Sequence, residues 1–361
     1  VLSDGFANPI TASALITGRE STVDARNSGP YQLAAPDYSA SGFGGRFDRW
    51  EPWVRMNVAL QTLCGRLCFE ATGDGASAAT ARTVSVYDRN TAQGGASLLL
   101  AKLTAPLPAV FERQLCMVLR WAELREERLA EVLSQIENQT AMVSSVAYLH
   151  PTRTPRTLEL LAVALQFAVS VEMRFKHELA CWRPVEYSPQ VQPMITTPGH
   201  GSLPSGHATQ AYIVAEVLAA LLTVGSNPTH PVTVQLQRQA ARIATNRVIA
   251  GVHFPVDNIA GRMLGVKLGQ FFVACANRNY NSPNFGSGVF DGTLGNLDTD
   301  DRELHPELQP LDGGGGAVPF YAEQSVACTI AQDDVLNCLW DKAQAEWLGR
   351  LPFGPITPCK P

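Results

Sequence analysis

Long apolar runs are missing from this chain: no stretch of eighteen uncharged apolar residues occurs anywhere in its 361 positions. The best candidate, 208–225, carries Gln210 and Glu216, and the apolar run 160–171 is flanked by Glu159 and Glu172. That argues against a transmembrane helix and for a soluble protein. Positive excess is missing too. Lys and Arg number 28 against 33 Asp and Glu, a net charge of -5, which excludes a nucleic-acid binder with a long basic face. The eight cysteines, at 64, 68, 116, 181, 275, 328, 338 and 359, form neither a CxxC pair nor a Cys/His zinc pattern. They read as thiols, with Cys359 open to a disulfide that pins the tail. Repeats, alternating strand patterns and haem or flavin motifs are also lacking. The chain opens on Val1 rather than Met, compatible with processing or export, and the compartment stays open.

Hydrophobic residues make up 45% and charged residues 17%, enough to build one sizeable core. Residues 1–50 are rich in Gly, Ser, Ala, Asn and Pro and read as an extended arm, of the kind that wraps a neighbouring subunit in a homo-oligomer. Helical spacing then runs over 53–70, 109–148, 153–182, 204–224, 232–250, 256–276 and 332–351. A loop of small residues covers 72–96, and a long Gly/Asn/Asp/Pro loop covers 278–320. The expectation is a single all-α domain over 1–361. Its helical core at 108–277 carries the site, and a C-terminal helix and tail occupy 321–361.

Three separated motifs carry chemistry. Lys176 and Arg183 are seven apart in a helical pattern, which puts two cations on one face, with Pro184 as the stop. Alone, such a pair is more often a solvated basic stripe. Pro204-Ser205-Gly206-His207 leads into an apolar helix. A helix amino end presents free N–H groups to an anion, Gly206 leaves the approach open, Ser205 adds a hydroxyl and His207 a titratable ring. The competing reading is an ordinary cap. Arg247, His253 and Asp257 lie around Gly251 and Pro255, where a helix break swings His253 back. Asp257 can then hold one ring nitrogen and leave the other free. Alone, His253 is a buried structural histidine.

In order and internal spacing, these motifs resemble the signature shared by vanadium haloperoxidases and the acid phosphatases of the type-2 phosphatidate phosphatase superfamily. Asn246 departs from it, since serine usually precedes the arginine. The resemblance implies a helical bundle of that type with long loops and an oxyanion pocket. Lys176, Arg183 and Arg247 would neutralise the oxygens, Ser205 and the Gly206 N–H would donate to them, and His207 would act as general acid–base. His253 would bind vanadium or attack phosphorus, with Asp257 supporting it.

His200, seven residues before His207, resembles the second histidine of bromoperoxidases. On that basis the expected function is a vanadate-dependent bromoperoxidase. It would oxidise bromide or iodide with hydrogen peroxide to hypohalous acid and so halogenate a small organic acceptor, with Lys176 bonded to the peroxide. The alternative is a soluble acid phosphatase working through a phosphohistidine on His253. Two weaker signals are the acidic cluster Asp298, Asp300, Asp301 and Glu303, which lacks the glycine a calcium loop wants, and the acceptor triplet Asn138-Gln139-Thr140, which falls in a helical pattern.

Overall fold

The computed structural model describes residues 8–22, 47, 49–90, 97–137, 139–222, 229–280, 285–293, 321–326 and 329–348. The chain divides into two compact units, 1–42 and 43–361. In the first, helix α1 (Pro9–Thr22) stands within the stretch read as an extended arm. Asn8 Oδ1 accepts the Ile10 N–H at 2.8 Å and Pro9 takes the first helical position, so the local signals are those of a helix start.

The second unit is built on helices, as expected, but it is not all-α. A five-stranded sheet in the order β1-β2-β3-β4-β5 occupies segments read as helix end, loop or C-terminal tail, and one stretch given no element. Helix α2 (Pro52–Arg66) stops four residues short of the expected Glu70, and β1 (Leu67–Thr72) pairs antiparallel with β2 (Thr83–Asp88), Leu67 opposite Asp88. Strand β3 (Leu98–Thr104) pairs antiparallel with β2 and parallel with β4 (Phe285–Asp291), and β5 (Tyr321–Val326) closes the order antiparallel to β4. These strands are six or seven residues long, and β2 and β3 are buried over most of their length, which erases the polar–apolar alternation that marks a half-exposed strand. The expected loop at 278–320 therefore contains β4. Its remainder over 294–320, including the acidic cluster at 298–303, lies outside the described residues, as do Asn138, Cys328 and Cys359. Cys64, Cys68, Cys116, Cys181 and Cys275 are free thiols.

The single helical pattern over 109–148 is broken into α3 (Pro108–Trp121), α4 (Arg125–Ser134) and α5 (Gln139–Ser144). Helix α6 (Pro155–Leu179) ends earlier than expected, because Ala180 turns left-handed at φ 49°. Arg183 therefore lies beyond the helix, at the cap of the one-turn α7 (Pro184–Tyr187). Next come α8 (Gly206–Leu221), α9 (Pro231–Ile249), α10 (Pro255–Ala276) and α11 (Asp334–Ala345), the last begun by Asp333, which accepts the Val335 and Leu336 N–H groups.

Helix α8 is the centre of the fold. It packs against α6, α9 and α10, and the sheet covers α10 through β3 and β4. Gly261 and Gly265 let α10 come close to it: a Cβ at either position would lie 2.6 Å from the Ser205 carbonyl oxygen or 2.4 Å from that of Thr209. Helix α10 is long and apolar enough to cross a membrane, yet 94% of that stretch is buried inside the protein, the mark of a core helix.

Candidate functional site

The three motifs meet at the amino ends of α8 and α10. Helix α9 stops at Ile249, and Gly251 takes φ 80°, which reverses the chain as the sequence suggested. His253 follows in the connection, 3% exposed. Asp257, third residue of α10, reaches back so that its Oδ2 accepts the Phe254 N–H at 2.9 Å and lies 3.0 Å from His253 Nδ1. A carboxylate only accepts, so Nδ1 carries the proton and Nε2 keeps a lone pair. Burial raises the Asp257 carboxyl to about 6, with Arg183 and Lys176 pulling the other way, and the carboxylate still predominates at neutral pH.

Arg183 faces that lone pair. Its Nη1 lies 2.9 Å from His253 Nε2 and donates to the Val252 carbonyl at 2.7 Å. Its Nη2 lies 3.1 Å from His200 Nδ1 and its Nε donates to the His200 carbonyl at 3.0 Å. One guanidinium thus bridges two of the three histidines singled out in the sequence. Burial and then the charges of Arg183, Lys176, His207 and Arg247 hold the His253 ring well below its ordinary pKa, so it is neutral. All four groups act on one imidazole, although they come from four separate segments.

Lys176 departs from its expected geometry. Its ammonium donates to the carbonyls of Gly201, Ser202 and Pro204, at 3.2, 3.2 and 2.5 Å, which uses all three protons on the loop that leads into α8. Lys176 and Arg183 are therefore not two cations on one helical face. Lys176 holds the loop and contributes charge, while Arg183 touches the histidines. Ser205 is the N-cap of α8, but its side chain caps nothing. Its N–H donates to the Asp257 carbonyl at 2.9 Å and its Oγ is buried without a partner.

His207, on the first turn of α8, places Nε2 3.0 Å from the Gln135 carbonyl. A carbonyl only accepts, so the proton sits on Nε2 and Nδ1 is the free atom. Burial and the charge of Arg247 push the His207 pKa down to about 3. Arg247 is 1% exposed. Its Nη2 donates to the Val132 carbonyl and Gln135 Oε1, while Nε and Nη1 are buried without partners.

Sequence reasoning missed two residues. Gln135 meets both Arg247 and His207. Glu172 is four residues before Lys176 on α6, a spacing that puts both on one face. Its Oε1 accepts from Gln210 Nε2 at 2.8 Å, and a Cβ on Gly206 would come within 2.7 Å of that oxygen. Burial raises Glu172 to about 7 and lowers Lys176 to about 8, each opposed by the other's charge. A cavity of about 610 Å3, walled by Met173, His177 and Trp182, reaches Lys176, Arg183 and His200. Among the described residues, no group of three or more His, Cys, Asp or Glu side chains could hold a metal ion by itself.

Comparison with known proteins agrees with this segment of the chain. Residues 157–281 match the PAP2 superfamily. Among solved structures, similarity extends to the crystal structure of the first transmembrane PAP2 type phosphatidylglycerolphosphate phosphatase from Bacillus subtilis. That protein is 20% identical, and the match covers 45% of this chain and 84% of that one at a TM-score of 0.35. No curated protein matches. The matched residues, 157–281, hold all three motifs, and over that third of the chain the likeness is to the PAP2 superfamily.

Proposed function

We propose that this cluster is an active site for a tetrahedral oxyanion, with Nε2 of His253 bonding to the anion's central atom. One observation carries the reading. Ser205 Oγ and Arg247 Nε and Nη1 are buried donors without partners, in a neighbourhood that also holds the Arg183 cation and the neutral His253 ring, with the Asp257 carboxylate behind that ring. Leaving such donors unmet costs roughly 1–3 kcal/mol each, so a site that keeps several is built for a ligand that accepts from all of them. The amino end of α8 adds the Gly206 N–H.

Phosphoester hydrolysis follows from this donor set and the superfamily. Nε2 of His253 attacks phosphorus as the bond to the leaving alkoxide breaks, and His207 delivers a proton to that oxygen. Water then attacks the phosphohistidine, His207 takes the water's proton, and inorganic phosphate leaves. Asp257 stabilises the charged His253 ring, and Arg183 and Arg247 hold the equatorial oxygens. The pKa of His207 is low without an anion, and a bound dianion opposes Arg247 and draws it back up.

A second reading is favoured by His200. Its ring sits on the same guanidinium as His253, which brings a third imidazole to the site. The partnerless donors that suit phosphate suit vanadate equally, which Arg183, Ser205, Gly206, Arg247 and His253 would hold while Lys176 adds its charge from the loop. Bound there, vanadate would supply a Lewis acid for bromide or iodide oxidation by hydrogen peroxide. One experiment separates the two: phosphomonoester hydrolysis and bromination of a phenolic dye, each with and without added vanadate. Hydrolysis that vanadate abolishes supports the first reading, and bromination that requires vanadate supports the second. Neither activity, with no binding of either anion, sinks both.

A further inference from the structure

Arg247 and His207 lie on different helices, α9 and α8, and both are held by one residue of neither. Gln135 caps the carboxyl end of α4 and is completely buried. Its main-chain carbonyl takes the His207 Nε2 proton at 3.0 Å, and its side-chain Oε1 takes Arg247 Nη2 at 2.9 Å. A guanidinium has only donors, so the atom facing it must be the amide oxygen. Asn246 confirms that orientation, since its Nδ2 donates to the same Oε1 at 3.0 Å and to Glu131 Oε2 at 3.1 Å. Glu131 is in turn gripped by Arg242, with contacts of 2.7 and 2.5 Å. Asn246 is also where the chain departs from the serine of the resembling families, and it supplies the side-chain amide that braces Gln135.

We propose that Gln135 is a positioning residue of the oxyanion site. Its side chain aims the Arg247 guanidinium, its main chain fixes the His207 ring, and Asn246 braces the amide that does the aiming. This rests on the oxyanion reading above. The two contacts are separable, because substitution removes the side-chain oxygen and leaves the carbonyl. Gln135→Leu should therefore loosen Arg247 and leave His207 bonded.

The test is a double-mutant cycle read by binding. Inorganic vanadate, and separately phosphate, is titrated calorimetrically into the wild type, Gln135→Leu, Arg247→Gln and the double variant. Acting through Arg247, Gln135→Leu weakens anion binding about tenfold in the wild-type background, the effect of a hydrogen bond to a charged group, and has little effect once Arg247 is gone. Equal losses in both backgrounds mean general disturbance and overturn the proposal. So does unchanged binding in Gln135→Leu. Should that variant not fold, Asn246→Ser in the same cycle keeps the Arg247 bond and removes the brace, with a smaller loss that must also vanish in the Arg247→Gln background. A wild type that binds neither anion removes the oxyanion reading itself, a different failure from a wild type that binds and a Gln135 variant that binds as well.

Discussion

Asp257 Oδ2 accepts from two groups at once, His253 Nδ1 at 3.0 Å and the Phe254 main-chain N–H at 2.9 Å. The first contact sets which ring nitrogen is free, and the second anchors the carboxylate to the amino end of α10. Asp257→Asn removes the negative charge behind the ring, and an amide whose NH2 takes the place of Oδ2 faces the ring and loses the Phe254 bond as well. Nδ1 then becomes the acceptor, and the proton moves to Nε2. Activity should fall roughly 10- to 100-fold, the usual cost of losing a residue that orients a reacting histidine. Steady-state kinetics beside an unfolding curve checks this, and a fully active variant would remove the tautomer argument.

Gly206 is required for space as well as for its open N–H. An added Cβ would lie 2.7 Å from Glu172 Oε1, on a buried carboxyl tied to Gln210. Gly206→Ala should cost about 1–3 kcal/mol, the range for overpacking a closed interior. Urea unfolding measures it. The double variant Gly206→Ala, Glu172→Ala should recover part of the loss, whereas additive losses would show that the carboxyl is not the obstacle.

Glu172 also predicts a pH dependence of definite sign. Burial raises its pKa from 4.5 to about 7 in the folded protein. The folded state therefore binds more protons than the unfolded state across that window, and this residue's contribution to stability is present below 4.5 and lost as pH rises through 7. Glu172→Gln keeps an oxygen for Gln210 and removes the buried charge. Its melting temperature relative to wild type should rise across that window and level off above it, by an amount worth a few kcal/mol at most at about 1.4 kcal/mol per pH unit. Thermal melts at several pH values test it, and a constant offset would show that Glu172 does not titrate there.

How much of this could be read beforehand follows from where the information lies. The pairing of His253 with Asp257 was legible, because four residues across a Pro-initiated helix start fix that geometry locally. The meeting of Arg183 with His253 needed the family resemblance, since their contact spans seventy positions. Lys176 and Arg183 share one face only if helical spacing runs on through Ala180, a residue with no local signal for its left-handed turn. Gln135 was invisible, since half of its role belongs to a main-chain carbonyl, which every residue carries. Strand β2 was missed because a strand buried over most of its length loses its two-residue period.

Lys176 and Arg247 are both buried cations, and the structure separates their roles. All three Lys176 ammonium protons are spent on the carbonyls of Gly201, Ser202 and Pro204, whereas Arg247 keeps Nε and Nη1 unmet. Lys176→Met strands three carbonyls in the loop that sets the start of α8, so it should lower stability by at least about 2 kcal/mol. Arg247→Met removes a buried charge that has no counterion and leaves only the Val132 carbonyl unmet, since Gln135 Oε1 keeps the Asn246 amide, so it should cost little stability beside Lys176→Met while removing much of the anion affinity. Urea unfolding with and without phosphate distinguishes them. The wild-type midpoint should rise with phosphate, because a ligand that binds only the folded state stabilises it. The Arg247→Met midpoint should start near wild type and respond far less, and that of Lys176→Met should start lower. If Arg247→Met is as unstable as Lys176→Met, Arg247 is structural and its unmet donors do not await a ligand.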